Sequence, residues 1–129
     1  MSTDEQREEI NKITEKVIGC AYTVASSLGS GFLEKVYENA LAHEVRKTGL
    51  EVAQQHTIQV HYDEIVVGDF VADLLVAQNV LVELKAVKTL DNIHHAQCMN
   101  YLKATGLTVC LLINFGSPKL EVRRIVNQF

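Results

Sequence analysis

Three charged residues interrupt two otherwise apolar stretches of this chain. Asp73 stands within FVADLLV (70–76), the apolar end of VVGDFVADLLV (66–76), and Glu83 and Lys85 stand two apart within VLVELKAV (80–87). Both stretches read as strands, being short, rich in valine and leucine, and bounded by turn-forming residues. On a strand, residues i and i+2 share a face, so Glu83 and Lys85 point together while Val82, Leu84 and Ala86 point the other way into a core. A buried charge without a partner costs several kcal/mol, so these side chains need a reason to be there.

Whether Asp73 joins them is a matter of register. A two-residue turn at Gln78-Asn79 sets residue 73 opposite residue 84 and puts the two acids on opposite faces; a three-residue loop over 77–79 sets 73 opposite 83. Convergence of Asp73, Glu83 and Lys85 therefore predicts an odd loop or a bulge at 77–79. Two adjacent carboxylates repel, and one takes up a proton unless a cation lies between them. Such a pair of hard oxygen donors suits Mg²⁺ or Mn²⁺, which keep several waters and accept phosphate oxygens. A lysine beside them can hold a water or stabilise charge developing on a phosphate. The plainer alternative is an ion pair on an amphipathic strand. Three charges on two neighbouring apolar strands weigh against it.

The elements that must position these residues follow from periodicity. Residues 4–28 carry Ile10, Ile13, Val17, Cys20 or Ala21, Val24 and Leu28 at helical spacing, stopped by Gly29-Ser30-Gly31. A second helix runs from about Leu33 to Lys47 with Val36, Tyr37, Ala40, Leu41 and Val45 as its apolar face, and Gly49 follows as a stop. QQHTIQVHY (54–62) alternates as a half-exposed strand, and Asp63-Glu64 turns the chain into residues 66–76. After 80–87, a helix over about 92–105 ends at Gly106. LTVCLLINF (107–115) has the continuous apolar character of a central strand, and LEVRRIV (120–126) is the last strand. The order α-α-β-β-β-α-β-β, with a strand–helix–strand unit over 80–114, predicts an α/β sandwich whose mixed sheet is flanked by helices.

Composition narrows the functional classes. The 129 residues are 47% hydrophobic and 22% charged, the balance of one globular domain rather than a disordered chain. No apolar run approaches the roughly 20 residues that cross a bilayer, and the polar, acidic N-terminus resembles neither a signal nor a transit peptide. Cys20, Cys98 and Cys110 lack ligand spacing and read as reduced thiols of a cytoplasmic protein. A net charge of −4 means that nucleic-acid binding would need locally concentrated basic residues or a metal that offsets the acids. Lys88, Lys103, Arg123 and Arg124 could form such a patch or be ordinary solvated charges. Glu34 and Glu38, four apart beside Tyr37, are by default solvated, and Tyr37 reads as a packing residue with a tethered hydroxyl. His94-His95 lack zinc spacing, although one could reach the site from the helix start. Gly29 and Gly31 fit a helix-ending turn rather than a phosphate loop.

At this point the chain resembles a known group. D-(x9)-E-x-K across two adjacent strands, followed by a helix bearing Q-x3-Y, is the pattern of the PD-(D/E)xK nuclease superfamily, here Asp73, Glu83, Lys85, Gln97 and Tyr101. More narrowly, GFLEKVY (Gly31, Glu34, Tyr37), ELKAV, HHAQCMNYLKATG and LLINFG resemble the blocks of the small bacterial GxxExxY proteins, over roughly residues 10–126. The proline that often precedes the aspartate is Ala72 here.

The resemblance implies a restriction-endonuclease-like fold and a metal bound by Asp73, Glu83 and the main-chain carbonyl of Leu84. Lys85 would orient the attacking water or stabilise the transition state. Gln97 and Tyr101, on one helical face, would position the DNA backbone or the lysine. Glu34 would be a further acid near the metal. The expectation is then a single 1–129 domain, a Mg²⁺- or Mn²⁺-dependent nuclease acting on DNA or possibly RNA. A nuclease-fold module that binds nucleic acid or a protein partner with little turnover is the alternative. The small size suggests a homodimer or a larger complex.

Overall fold

A computed structural model describes residues 3–129. The expected element order is present: α1 (Thr3–Leu28), α2 (Glu34–Lys47), β1 (Val52–Tyr62), β2 (Ile65–Val76), β3 (Val80–Lys85), α3 (Asn92–Thr105), β4 (Val109–Asn114) and β5 (Glu121–Val126). The strands form one five-stranded mixed sheet in the order β1-β2-β3-β4-β5, antiparallel except for β3–β4. That parallel pair is bridged by α3, because parallel neighbours need a long crossover.

Helices cover both faces. Ile13, Val17, Ala21 and Val24 of α1, with Tyr37, Leu41, Ala42 and Val45 of α2, pack on Leu74, Val76, Val82, Leu84, Leu111 and Ile113. On the opposite face Cys98, Tyr101 and Leu102 of α3 pack on Leu81, Cys110, Leu112 and Ile125. β4 is buried along its whole length, which explains its unbroken apolar sequence.

Local chemistry sets the element ends. Asp91 caps α3 by accepting from the Ile93 N–H (2.8 Å), while His94 Nδ1 accepts from the Asp91 N–H (3.2 Å). His94 is thus a capping residue. Gly106 closes the helix at φ 75°. Tyr37, fully buried, donates its hydroxyl to the Gly29 carbonyl (2.6 Å), accepts from the Phe32 N–H (3.2 Å) and stacks on Phe115 (4.7 Å between centroids), tying the α1–α2 loop down.

One expectation is corrected and one open alternative is narrowed. The buried face of α2 is Tyr37, Glu38, Leu41, Ala42 and Val45, whereas Val36 is exposed. The helix is rotated so that Glu38, not Val36, continues the inward stripe. The four basic residues also form no single patch. Arg124 bonds Asn11 of α1 (2.7 Å) and covers the Phe129 ring, while Lys103 projects from α3 on the other face of the sheet.

Candidate active site

The β2–β3 connection is the three-residue loop that convergence of the acids requires. Val76 pairs with Val80, Leu75 with Leu81 and Leu74 with Val82, so one further step sets Asp73 opposite Glu83. Ala77 and Gln78 take φ of 50° and 58°, and the Asn79 N–H donates to the Val76 carbonyl (3.0 Å), closing a tight turn with Asn79 as the extra residue.

Beyond Leu74↔Val82 the backbone ladder stops and the side chains take over. The Asp73 N–H donates to Glu83 Oε1 (3.0 Å), and the Leu84 N–H donates to Asp73 Oδ2 (2.8 Å). Each carboxylate therefore replaces the backbone acceptor that the diverging strand has withdrawn. This reciprocal lock fixes two acids side by side at the point where β2 and β3 part. The core face of β2 also changes here: Leu74 and Val76 pack toward α1 and α2, whereas Ala72 packs toward α3. Lys85 lies half-buried one residue beyond Leu84, and among the described residues it forms no ion pair.

The acids are electrostatically unsatisfied. Glu83, 3% exposed, is pushed up to about 9 by burial first and the charge of Asp73 second. Burial likewise raises the Asp73 carboxyl, opposed by its bond from the Leu84 N–H. Glu34, on the exposed rim at the start of α2, is raised by partial burial and then by the charge of Asp73, with Lys85 opposing. Tyr101 is pushed up to about 12 by burial and then by Glu83. Its hydroxyl accepts from Gln97 Nε2 (2.9 Å), which leaves the O–H proton free to donate. The structure thus brings Asp73, Glu83, Lys85, Glu34, Tyr101 and Gln97 into one neighbourhood, where burial and the charge of Asp73 favour the protonated form of Glu83.

A group that periodicity did not single out joins them. Glu38 is 3% exposed and accepts three bonds: from Lys35 Nζ (2.9 Å), Gln54 Nε2 (2.6 Å) and Gln55 Nε2 (2.6 Å). Gln55 Nε2 also reaches Asp73 Oδ1 at a longer 3.4 Å. Gln55 stands in β1 between Gln54↔Leu74 and His56↔Ala72, hence opposite Asp73, and has φ 54° in mid-strand. Such a backbone costs a non-glycine residue about 1–3 kcal/mol. The conformation turns the Gln55 amide toward both acids. The available signal for Glu38 was its place one turn before Leu41, Ala42 and Val45 on the buried stripe.

Among the described residues no cluster of three or more His, Cys, Asp or Glu side chains has metal-holding geometry. Mg²⁺ and Mn²⁺ do not need one, since one or two carboxylates and several waters suffice. Asp73 and Glu83 fit that donor set, and a cation between them would favour the ionised form of both.

No curated protein sequence and no solved structure is significantly similar to the chain. A family model does match it, over residues 11–125, which span both sheet faces and every site residue above. The mixed sheet, the flanking helices and the order of the elements agree with that family's restriction-endonuclease-like fold, and the chain belongs to the PD-(D/E)XK nuclease superfamily.

Proposed function

We propose that this protein is a divalent-metal-dependent phosphodiesterase that hydrolyses nucleic acid at the Asp73–Glu83–Lys85 cluster. The observation that carries the reading is the reciprocal lock between Asp73 and Glu83, which holds two acids together in a sheet core at the expense of their ionisation. Asp73 and Glu83, with the Leu84 carbonyl as the expected third donor, would hold Mg²⁺ or Mn²⁺. A metal there supplies Lewis acidity toward the phosphate and lowers the pKa of a bound water.

The remaining roles belong to the chain itself. The Lys85 ammonium is available to a phosphate oxygen or to the attacking water. The Tyr101 O–H, aligned by Gln97, donates to a phosphate oxygen or holds the lysine in place. Glu34 and Tyr37, the acid and aromatic of the narrower GxxExxY resemblance, act differently. Glu34 faces the cluster as a further acid, while Tyr37 anchors the loop that delivers it. Glu38 and Gln55 hold Asp73 in orientation from behind.

The test is incubation of a mixed panel of single- and double-stranded DNA and RNA with Mn²⁺, comparing wild type with Lys85→Ala and Asp73→Asn. Cleavage by wild type, reduced at least a hundredfold in both variants, supports the reading. Binding of nucleic acid without cleavage of any substrate would replace it with the alternative of a non-catalytic binding module.

A further inference from the structure

A cleft of about 590 Å³ opens between the β1–β2 hairpin and α3, on the α3 face of the sheet, lined by Val60, His61, Phe70, Asn100, Lys103 and Ala104. No acidic side chain lines it, which is notable on a chain of net charge −4. Its aromatic member, Phe70, is 46% exposed and rests by one side on Tyr101 (5.6 Å between centroids, 49° between planes). The open part of the ring faces the cleft beside a lysine and an amide.

The cleft lies beside the acidic cluster along both β2 and α3. Phe70 precedes Asp73 by three residues on β2, about 10 Å along an extended strand. On α3, Gln97, Asn100, Tyr101 and Ala104 succeed one another at helical spacing, so one strip of the helix runs from the cluster into the cleft. Tyr101 links the two, its ring against Phe70 of the cleft and its hydroxyl under the influence of Glu83 in the cluster.

The geometry points to this cleft as a subsite for one unpaired nucleotide of a single-stranded nucleic acid, adjacent to the phosphate attacked at Asp73–Glu83. The inference rests on the nuclease reading above and adds a substrate class to it. The base stacks on the free part of the Phe70 ring, flanked by Val60 and Ala104. Asn100 supplies an amide that can both donate to and accept from a base edge. Lys103 and His61 supply donors for the flanking phosphate. A base within a duplex is already stacked on both faces and cannot use the ring, whereas an unpaired base gains from it. Charge complementarity assigns the occupant: the cluster repels phosphate until a cation offsets it, and Lys103 in the cleft attracts it.

The experiment measures anisotropy of fluorescein-labelled oligo(dT), twelve nucleotides long, in EDTA, against a blunt duplex of equal length. It uses the full chain and variants checked by thermal melting. The expected result is single-strand binding at least tenfold tighter than duplex binding. Phe70→Ala and Phe70→Leu should each weaken it at least fivefold, Phe70→Trp should retain it, and Lys103→Ala should flatten its salt dependence. Phe70→Leu keeps an apolar contact to Tyr101 and removes the aromatic face, so a loss there reports stacking rather than folding. Equal affinity for duplex and single strand, or unchanged binding by folded Phe70→Leu, overturns the subsite. Cleavage assays with Mn²⁺ on the same oligonucleotides separate the two readings. Single-strand cleavage unaffected by Phe70→Leu removes the subsite and leaves the nuclease, whereas ring-dependent single-strand binding without cleavage leaves the subsite and removes the nuclease.

Discussion

At the scale of single residues, the site is defined by carboxylates that cannot all be charged. Glu83 has a folded-state pKa of about 9 against an ordinary 4.5, so between those values the folded chain holds a proton that the unfolded chain has released. Its contribution to stability is fully present below 4.5 and is lost as pH rises through about 9. In EDTA the melting temperature of wild type is expected to fall across that window. Glu83→Gln, whose amide oxygen can still accept from the Asp73 N–H, should show a flatter profile and melt higher than wild type near pH 9, read by calorimetry at successive pH values. The buried acid behind the site is expected to act through Asp73. Glu38→Ala removes one acceptor from each of the Gln54 and Gln55 amides, leaving them only Asn39 Oδ1 and Asp73 Oδ1, and should cost about 1–3 kcal/mol. Glu38→Gln should restore most of the stability but not the orientation of Gln55, so weakened Mn²⁺ binding in a well-folded Glu38→Gln protein, measured by calorimetric titration, distinguishes positioning from packing.

At the scale of elements, the site depends on how the end of β3 is held. Lys85 pairs with Asn114 across the parallel β3–β4 register, and the Phe115 N–H donates to the Lys85 carbonyl (2.9 Å). Asn114 is fully buried and makes four bonds. Its Oδ1 accepts from the Val87 and Gly116 N–H groups (3.0 and 2.9 Å), and its Nδ2 donates to the Val87 carbonyl and Glu121 Oε1 (2.9 and 2.7 Å). This clamp stops the chain from drifting once it leaves the sheet beside Lys85. Gly116 completes it, because a Cβ there would meet the Val87 backbone at 2.3 Å. Gly116→Ala is expected to destabilise by about 1–3 kcal/mol through overpacking. Asn114→Leu should cost roughly 2–4 kcal/mol through orphaned backbone groups. Urea denaturation measures both, and equal stability in either variant would show that the β3 end is held by other contacts.

At the scale of the whole molecule, charge is the governing quantity. A chain of net −4 that sets Asp73, Glu83, Glu34 and Glu38 close together gains little from phosphate attraction alone. A cation should therefore be both ligand and stabiliser. Mn²⁺ at a hundred times its dissociation constant is expected to raise stability by about 2.7 kcal/mol, seen as a thermal shift that grows with pH as Glu83 and Asp73 give up their protons. Asp73→Asn keeps an acceptor for the Leu84 N–H but loses the charge, and should abolish the shift. A shift that persists in Asp73→Asn would place the metal elsewhere.

The amino-acid sequence by itself determined the elements, because apolar period distinguishes helix from strand over windows of about ten residues. Val80–Lys85 and Val109–Asn114 could hardly be anything but interior strands. It also exposed Asp73, Glu83 and Lys85, since charge inside an apolar strand is visible without any structure, and it reduced their meeting to one question of loop length at 77–79. Only the tertiary structure decided the rest. The rotation of α2 that buries Glu38 and exposes Val36 depends on what α1 and β1 present to it, which no local pattern encodes. Gln55 looked like one polar residue of an alternating strand; its left-handed backbone breaks the pairing opposite Asp73, where β2 changes its core face. Lys103 and Arg124 share a sign, but the sheet lies between them. Periodicity is a property of neighbours in the chain, whereas a site is a property of neighbours in space.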